Sequence, residues 1–358
     1  MKVDGTAWRH PAIVLVYARW AMVRNVLAVI LVVIAAGILL VAAWPQLFGL
    51  QDSPIIAQVV SLRGLDIAVA LAAVVVLLLI MIWWHGGRRF LAPLVAVILV
   101  FCLASIGIVA ARGFGGVVPT ARGGSDVTVL DWNTKGSKPS PATIATLVLD
   151  EHADVIVLPE TSQDTGIAVE KILGAAGRPM WVLSGAQGGT FQAHATTLLI
   201  SAALGRYKVD SSVGDTSVTS SLIARPDSGQ GPTIVAVHAV SPRPGEMRNW
   251  RADLAFLAQA CTGRNVIMAG DFNSTLDGLS AHRAVAGAQF AQCYDAGLAA
   301  HTASVGSWPT NLPALLGAQI DHVMYTAAWK TVSMHVVTTE DGAGSDHRPV
   351  VATLAPAS

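Results

Sequence analysis

The chain has 358 residues, of which 53% are hydrophobic and only 13% charged, and its mean hydropathy of +0.55 is too high for an ordinary soluble protein of this size. The formal net charge of zero hides an asymmetry, because residues 113–358 carry 15 Lys and Arg against 20 Asp and Glu, a net charge of −5. An acidic C-terminal part lacks the basic footprint of proteins that grip nucleic acid by its phosphates, which weighs against an indiscriminate nuclease.

Three long apolar runs occupy the N-terminal third of the chain. They span residues 26–44, 67–84 and 90–111, which are 19, 18 and 22 residues without a charge. Each is long enough to cross a hydrocarbon core of about 30 Å at about 1.5 Å per residue. Buried helices of a globular protein are the alternative, but three such runs favour three transmembrane helices.

The distribution of Lys and Arg predicts the orientation of these helices. The loop between the first and second runs carries only Arg63. The other flanking cations are Lys2, Arg9, Arg19, Arg24, Arg88 and Arg89. The positive-inside rule therefore predicts a multi-pass protein of the cell membrane, with residues 1–25 in the cytoplasm and everything after the third span outside. A cleaved signal peptide is not expected, because more than 20 residues precede the first run.

A Gly-rich segment, residues 112–125, follows the third run and has no hydrophobic periodicity. It is typical of a flexible tether. Residues 126–358 are then long enough to form one domain with a substantial core. A domain on such a tether is expected to stay within a few tens of Å of the bilayer, which favours substrates in the membrane or the cell envelope.

Short apolar runs in this C-terminal part each end at a polar residue, as buried strands ending at a functional rim would. The runs are 127–130, 155–158, 234–237 and 266–268. The polar residues at the ends of these or later strands are Asn133, Glu160, His238, Asp271, Asn273, Asp321 and His347. If the strands lie side by side, their ends bring carboxylates, amides and imidazoles to one edge, which we predict to be the active site.

Three of these positions have specific chemical interpretations. Glu160 ends the stretch ADVIVLPE, where a carboxylate is a hard oxygen ligand for Mg²⁺ or Mn²⁺, although a solvated loop charge also fits. In NVIMAGDFNSTLD, Asp271 can orient or deprotonate a water, and Asn273 can donate to a phosphoryl oxygen. An Asx-type turn is the alternative interpretation of that stretch.

Two further motifs lie near the C-terminus, GAQIDHVMYT and GAGSDHRPVVATL. Neighbours on a strand point to opposite faces, so Ser345, Asp346 and His347 cannot form a nucleophilic triad among themselves. We expect His347 to face a phosphate while a carboxylate from another strand fixes its tautomer. Asp321 is the best candidate for that partner.

Together, Asn133, Glu160, His238, the GDFN motif, the IDHV motif and the SDHRP motif resemble the endonuclease/exonuclease/phosphatase superfamily with its deoxyribonuclease I-like fold. The resemblance covers roughly residues 126–355. It implies a four-layered α/β sandwich of two packed sheets covered by helices, here preceded by three transmembrane helices. It also implies Mg²⁺-dependent (or Mn²⁺-dependent) hydrolysis of a phosphoester by in-line attack of water, without a covalent intermediate.

The resemblance also implies a role for each matching residue. Glu160 is similar to the principal metal ligand, with Asn133 and Asp346 near the metal or its waters. Asp271 matches the residue that activates water and Asn273 one that holds a phosphate oxygen. His347, oriented by Asp321, matches the phosphate-binding histidine, and His238 a residue that contacts phosphate or protonates the leaving group. His322 receives no catalytic role.

The substrate stays open, because members of this superfamily hydrolyse nucleic acids, inositol phosphates, sphingomyelin and other phosphodiesters. We favour a phospholipid head group or an envelope phosphoester. A nuclease acting outside the cell is an alternative, for which Arg243, Arg248 and Arg251 form the only basic cluster. A non-catalytic receptor for a phosphorylated ligand is a second one. Calcineurin-like phosphoesterases and metallo-β-lactamases are excluded by the lack of GNHE and H-x-H-x-D-H motifs.

Cys261 and Cys293 flank the Asp271 loop. A disulfide, which an oxidising compartment permits, and two buried free thiols both fit the sequence. A bridge would stabilise the domain by about 3 to 4 kcal/mol through chain entropy.

Overall fold

The computed structural model describes residues 11–115, 123–186 and 192–357. Its N-terminal part consists of the long helices α1 (Pro11–Ala43), α3 (Arg63–Trp83) and α4 (Arg88–Arg112), with the short α2 (Ile56–Ser61) between the first two. In the described part of the chain, three helical segments are long and apolar enough to cross a membrane: Met22–Ala43, Arg63–Trp83 and His85–Arg112. They coincide with the three predicted spans to within a few residues.

These helices keep their apolar side chains on the outside, contrary to helices of a soluble protein. Leu31 on α1 and Leu103 on α4 are 67% and 70% exposed, and few residues of the bundle are buried. Long helices that are apolar all round and exposed are typical of membrane spans.

The C-terminal domain contains two six-stranded mixed sheets. Sheet A has the strand order β11-β12-β1-β2-β4-β3, and sheet B the order β5-β6-β7-β8-β10-β9. The strands of sheet A are β1 (Val127–Asp131), β2 (Val155–Pro159), β3 (Met180–Ala186), β4 (Ala195–Ser201), β11 (Trp329–Val336) and β12 (Val350–Pro356). Those of sheet B are β5 (Tyr207–Val209), β6 (Leu222–Pro226), β7 (Thr233–His238), β8 (Val266–Asp271), β9 (Tyr294–Asp295) and β10 (Asp321–Tyr325).

Helices cover the outer face of each sheet. Helices α5 (Pro141–Asp150) and α6 (Gln163–Ala175) lie on sheet A, while α7 (Met247–Ala260), α8 (Leu276–Leu279) and α9 (Ala296–Ala299) belong to the sheet B half. One apolar core lies between the two sheets and one more beneath the helices of each sheet. Four layers result, as the sequence predicts. Because both faces of the central strands are covered, these strands are continuous apolar runs rather than alternating ones.

The catalytic-site half of the domain is fixed to the helical bundle, which corrects the expectation of a loose tether beginning at residue 112. Asp277 on α8 forms buried ion pairs with Arg63 and Arg112, at 2.8 and 2.9 Å from its Oδ1. The chain after α4 stays bound too, since the Ser304 amide donates to the Gly113 carbonyl oxygen at 3.0 Å. Residues 116–122 of the predicted linker lie outside the described residues.

Two further contacts lock this arrangement. Gly64 at the start of α3 lies so close to the turn at 314–316 that a Cβ there would overlap the Leu315 carbonyl oxygen. Helix α2 inserts Ala57 into the core beneath sheet B, and Gln58 donates to the Pro242 carbonyl oxygen. The bundle therefore holds the domain in one orientation, with the ends of α1 and α4 and the start of α3 facing it.

Candidate active site

Strand register places three of the predicted residues in one row across sheet B. His238 is the partner of Asp271 in the parallel pair β7–β8, and Asp271 is the partner of Asp321 in the antiparallel pair β8–β10. Residues paired across neighbouring strands point to the same face of a sheet. The three side chains therefore converge at one edge, and all three are buried.

Gly270 makes this row possible. Its φ of +141° lies in a region that L side chains rarely adopt, and a Cβ there would overlap the Val237 carbonyl oxygen of the neighbouring strand. The glycine of the GDFN motif thus allows β7 and β8 to approach closely directly before His238 and Asp271.

Asp271 is held by two asparagines. Its Oδ1 accepts from the Asn273 amide at 2.8 Å, and its Oδ2 accepts from Asn273 Nδ2 at 3.1 Å and from Asn133 Nδ2 at 3.0 Å. Burial, and next the charge of Asp321, raise the pKa of Asp271 to about 7. A carboxylate with a pKa near neutrality, fixed by three hydrogen bonds, is suited to take a proton from water.

Asn133 also links the two sheets. Its Nδ2 donates to Glu160 Oε1 at 3.2 Å, in addition to Asp271, while its Oδ1 accepts from the Lys135 amide at 2.9 Å. The amide oxygen of Asn133 is therefore occupied by backbone. In this structure Asn133 orients the two carboxylates, and its expected place near the metal or its waters stays a prediction.

Glu160 and Asn273 share an unusual backbone conformation, with φ of +54° and +46°. Such left-handed conformations cost of order 1 kcal/mol or more in non-glycine residues and cluster at functional sites. At both positions the strained residue directs its side chain to the edge where the two sheets meet. Burial raises the pKa of Glu160, and the hydrogen bond from Asn133 opposes that rise.

His347 reaches the site from the loop before β12. Its Nδ1 lies 2.9 Å from Asp321 Oδ2, and its Nε2 lies 3.8 Å from Asp271 Oδ2. Burial alone would lower the pKa of His347, but the carboxylates of Asp321 and Asp271 raise it to about 10. The ring is therefore an imidazolium at neutral pH, oriented by Asp321 as the sequence predicts, and it can donate to an anionic phosphate.

His238 has the opposite electrostatic character. Burial, then the charges of His347 and His194, lower its pKa to about 3. Its Nδ1 has no hydrogen-bond partner among the described residues. The ring is therefore a neutral imidazole at neutral pH, with one buried nitrogen that makes no hydrogen bond within the described residues.

The loop that carries His347 is fixed by residues outside the predicted set. Ser345 Oγ donates to the Asn133 carbonyl oxygen at 2.6 Å, and the His347 amide donates to Ser345 Oγ at 3.0 Å. The buried Trp132 donates from Nε1 to the His347 carbonyl oxygen at 2.9 Å. The sequence gives no sign of these roles for Ser345 and Trp132, because hydrogen bonds across more than 200 residues leave no local signal.

Asp131, which directly follows the apolar run 127–130, has no role in the sequence analysis. It is fully buried, and neither carboxyl oxygen has a hydrogen-bond partner within the described residues. Burial, reinforced by the charges of Asp321 and Asp271, raises its pKa well above the usual range. Asp131 therefore lies behind the row on sheet B, where burial and the neighbouring carboxylates favour its protonated form.

His322 has a structural role, consistent with the sequence interpretation. Its Nδ1 lies 2.8 Å from Asp295 Oδ2, and its Nε2 lies 2.9 Å from the Ser274 carbonyl oxygen. Both ring nitrogens must then donate, so the ring is charged. It supports the loop that follows Asn273 from behind.

Three carboxylates at the site can serve as ligands of a metal ion. Glu160, Asp271 and Asp346 supply carboxylate oxygens, and within the described residues only one Glu160 oxygen has a protein hydrogen bond. Asp346 lies at the more exposed rim, 3.4 Å from Lys135 Nζ. Oxygen donors of this kind fit Mg²⁺ or Mn²⁺.

A second group of potential ligands lies beside Glu160. In the described part of the chain, Asp271, Asp321 and His347 bring one ligand atom each within 4.8 Å of one another. Within this group, the His347 imidazolium is the part that can bind a phosphate anion. The predicted metal residues and the predicted phosphate residues thus occupy neighbouring parts of one site.

Comparison with known proteins identifies the origin of this arrangement. The profile of the Endonuclease/Exonuclease/phosphatase family matches residues 132–347, which is more than half of the chain. The chain belongs to this family. Members of the family are typically metal-dependent phosphoesterases, so this chain is a family hydrolase for phosphodiester-type substrates.

Solved structures agree on the fold of this family member. The protein TDP2 of D. rerio, in a humanized form, is 17% identical over 64% of this chain and 99% of its own, with a TM-score of 0.50. A complex of D. rerio TDP2 with a single-strand DNA product gives the same values. An endonuclease/exonuclease/phosphatase of Beutenbergia cavernae DSM 12333 is 20% identical over 65% of this chain and 72% of its own, with a TM-score of 0.49. No curated protein matches the chain.

Proposed function

We propose that this protein is a membrane-anchored phosphoesterase that uses a divalent cation, Mg²⁺ or Mn²⁺, to hydrolyse phosphoesters by in-line attack of water. The observation that carries the proposal is that a carboxylate able to accept a proton lies beside a positively charged imidazolium. Asp271 is a buried carboxylate with a pKa near 7, and the imidazolium of His347 lies 3.8 Å from it. One can accept a proton from water while the other binds the phosphate charge.

Each residue then has a role that follows from its position. Asp271 orients and deprotonates the attacking water, and the proton moves to its carboxylate. The imidazolium of His347, held by Asp321, donates to a phosphoryl oxygen, and His238 lies on the other side of Asp271 in the same row. Asn273 Nδ2 donates to Asp271 Oδ2 at 3.1 Å and to the Ala239 carbonyl oxygen at 2.9 Å, so Asn273 fixes the Asp271 carboxylate in place.

Glu160 and Asp346 would hold the cation, with Asn133 orienting the Glu160 carboxylate. A bound divalent cation supplies Lewis-acid stabilisation of the charge that develops on the transferred phosphoryl group. Without these carboxylates, the site retains its phosphate-binding half and loses the stabilisation of the transition state.

We also propose that the protein works in the cell membrane, with its N-terminus in the cytoplasm and its catalytic domain outside. The three apolar helices support this location. The Arg-rich ends of the bundle, including Arg24 stacked on the Phe90 ring, lie opposite the catalytic domain, which supports the orientation. A disulfide joins Cys261 and Cys293 in the domain, and such bonds persist in oxidising compartments.

The favoured substrate is a phospholipid head group or another envelope phosphoester at the membrane surface. The fixed docking of the domain on the bundle supports it, because the site then remains beside the bilayer. A nuclease acting outside the cell is the second candidate. It is favoured by the exposed side chains of Arg243 and Arg248 near the site and by the fold shared with TDP2, which has been solved with a DNA product.

The test is hydrolysis by the purified full chain in nanodiscs, with Mg²⁺ and with EDTA. The panel contains a phosphoinositide, sphingomyelin, a bacterial phospholipid, single- and double-stranded DNA, and bis-p-nitrophenyl phosphate. We expect metal-dependent cleavage of a lipid class together with the chromogenic diester. Cleavage of DNA alone would establish the nuclease. No cleavage of any member by a folded chain would contradict the proposal and favour a phospholigand receptor.

A further inference from the structure

An apolar groove of about 610 Å³ runs between α2 with its preceding loop and the catalytic domain. Its volume is typical of small-ligand sites. The side chains that give it its apolar character are Ile55, Val59, Leu62, Met247, Trp308 and Ile320. One wall therefore comes from the loop between two membrane spans, and the other from the domain.

One end of the groove is the active site. Asn273 lines the groove, and its Nδ2 contacts Asp271 Oδ2 at 3.1 Å. Arg243 lines it as well, with an exposed side chain that complements a phosphate. A phosphoester held at Asp271 can consequently extend an attached chain along the groove without leaving the site.

The other end lies where the helices enter the apolar layer. Leu62 directly precedes α3, the second of the three long helices, and Ile55 is 72% exposed. Trp44, Leu47 and Phe48, just after α1, are also at least 49% exposed. Exposed aromatic and aliphatic side chains at the ends of membrane spans mark the interface between lipid and water. The groove thus continues from the catalytic site to the surface of the bilayer.

The walls of the groove are held in place rather than loosely apposed. Gln58 on α2 donates to the Pro242 carbonyl oxygen and lies 3.5 Å from Met247 Sδ, so it joins the two walls. The buried Asp277 ion pairs fix the bundle on the same side of the domain. An apolar groove preserved in a fixed interface is expected to bind an apolar ligand.

We propose that this groove binds the hydrocarbon chain of an amphiphilic phosphoester that is drawn from the bilayer, while the phosphate binds at Asp271 and His347. This rests on the proposed phosphoesterase function and names its substrate class, a phosphoester with a long hydrocarbon chain. The chain contacts Val59 and its neighbours, and the hydrolysed bond lies beside Asn273.

The test uses the full chain in phosphatidylcholine nanodiscs with methyl, butyl and octyl 4-nitrophenyl phosphate, all below their micellar concentrations. Water attacks phosphorus, the bond to 4-nitrophenolate breaks, and the alkyl chain remains on the phosphate. A fully buried methylene favours binding about fourfold. For an open groove we expect kcat/KM to rise on the order of 10- to 100-fold from methyl to octyl, mainly through KM.

Variants separate the groove from mere partition into the bilayer. In Val59→Asn, kcat/KM should no longer rise from the methyl to the octyl ester, and kcat/KM for the methyl ester should be unchanged. Val213→Asn, an equal change at a half-exposed valine that does not line the groove, should behave as wild type. Ile55→Gln, at the exposed open end, provides a second groove variant if Val59→Asn fails to fold, and it should reduce the octyl preference.

Three outcomes would overturn the proposal while leaving the phosphoesterase intact. One is a flat series in the wild type with normal hydrolysis of the methyl ester. The second is an equal rise in kcat/KM from methyl to octyl in Val59→Asn and in the wild type. The third, used where Val59→Asn does not fold, is the same equal rise in Ile55→Gln and in the wild type. Loss of hydrolysis of every ester by the wild type would instead contradict the proposed function itself.

Discussion

Asp277 offers the sharpest test of how the domain is mounted on the helical bundle. Its carboxylate accepts from Arg63 Nε at 3.0 Å and from Arg63 Nη2 at 2.8 Å, and it pairs with Arg112 at 2.9 Å. Gln46 Nε2 is a further donor at 2.9 Å. Asp277→Asn keeps the shape but leaves two largely buried guanidinium groups without a counter-charge.

Breaking a buried pair by removing one partner costs about 3 to 5 kcal/mol. Because the Asn oxygen still accepts one hydrogen bond, we expect a loss of about 3 kcal/mol for Asp277→Asn. For a domain of this size that corresponds to a fall in Tm of about 6 to 12 °C. The assay is thermal unfolding of the full chain in nanodiscs, followed by tryptophan fluorescence.

The matched control is Asp227→Asn. Asp227 pairs with Arg206 and Lys208 at 4.0 and 3.8 Å, but all three side chains are substantially exposed. Surface pairs of this kind contribute about 0 to 1 kcal/mol. Equal Tm values for both variants, or an unchanged Tm for Asp277→Asn, would refute the docking argument.

The direction of the pKa shift of Asp277 also determines how the stability lost in Asp277→Asn depends on pH. Burial alone would raise its pKa, but Arg112 and Arg63 together hold it well below its usual range. A lowered folded-state pKa contributes stability above the unfolded value, about 3.9, and this stability is lost as the pH falls through the folded value. The difference between wild type and Asp277→Asn should therefore be constant from pH 5 to 8 and shrink in strong acid.

The remaining predictions concern the site and the disulfide. With pKa values of about 7 for Asp271 and about 10 for His347, kcat/KM should be highest between these values and fall about tenfold per pH unit on either side. Asp321→Asn removes a charge that raises both pKa values, so both limbs of the pH profile of kcat/KM should move to lower pH. Unchanged limbs would contradict the assignment of the two pKa values to Asp271 and His347. Cys261→Ser with Cys293→Ser should lower the free energy of unfolding by about 3 to 4 kcal/mol in denaturant titration, since the bond closes a long loop. A loss below 1 kcal/mol would count against the bond.

The sequence predicts the site well where the signal is local. The apolar runs that form β7 and β8 stop at His238 and Asp271, and the Asp of the IDHV motif begins β10. Their row of His238, Asp271 and Asp321 then follows from pairing that buried strands specify strongly.

What the sequence could not predict depends on contacts between distant residues. Arg63 counts as a loop cation for membrane orientation, yet its partner is Asp277, 214 residues away. The same holds for α2, a six-residue helix that is stable only through its packing on the domain. For that reason the segment after the third span was interpreted as the start of a loose tether, although residues up to Gly115 are bound to the domain.

The most direct test of the account is the rate at which the full chain hydrolyses bis-p-nitrophenyl phosphate with Mg²⁺, compared with Asp271→Asn and with EDTA. We expect the variant to bind the diester and to be about 10²- to 10⁴-fold slower in kcat, because only the proton acceptor is lost. EDTA should abolish turnover by the wild type. Full activity of a folded Asp271→Asn chain, or wild-type turnover that is unchanged by EDTA, would contradict the claim that this site is a metal-dependent phosphoesterase.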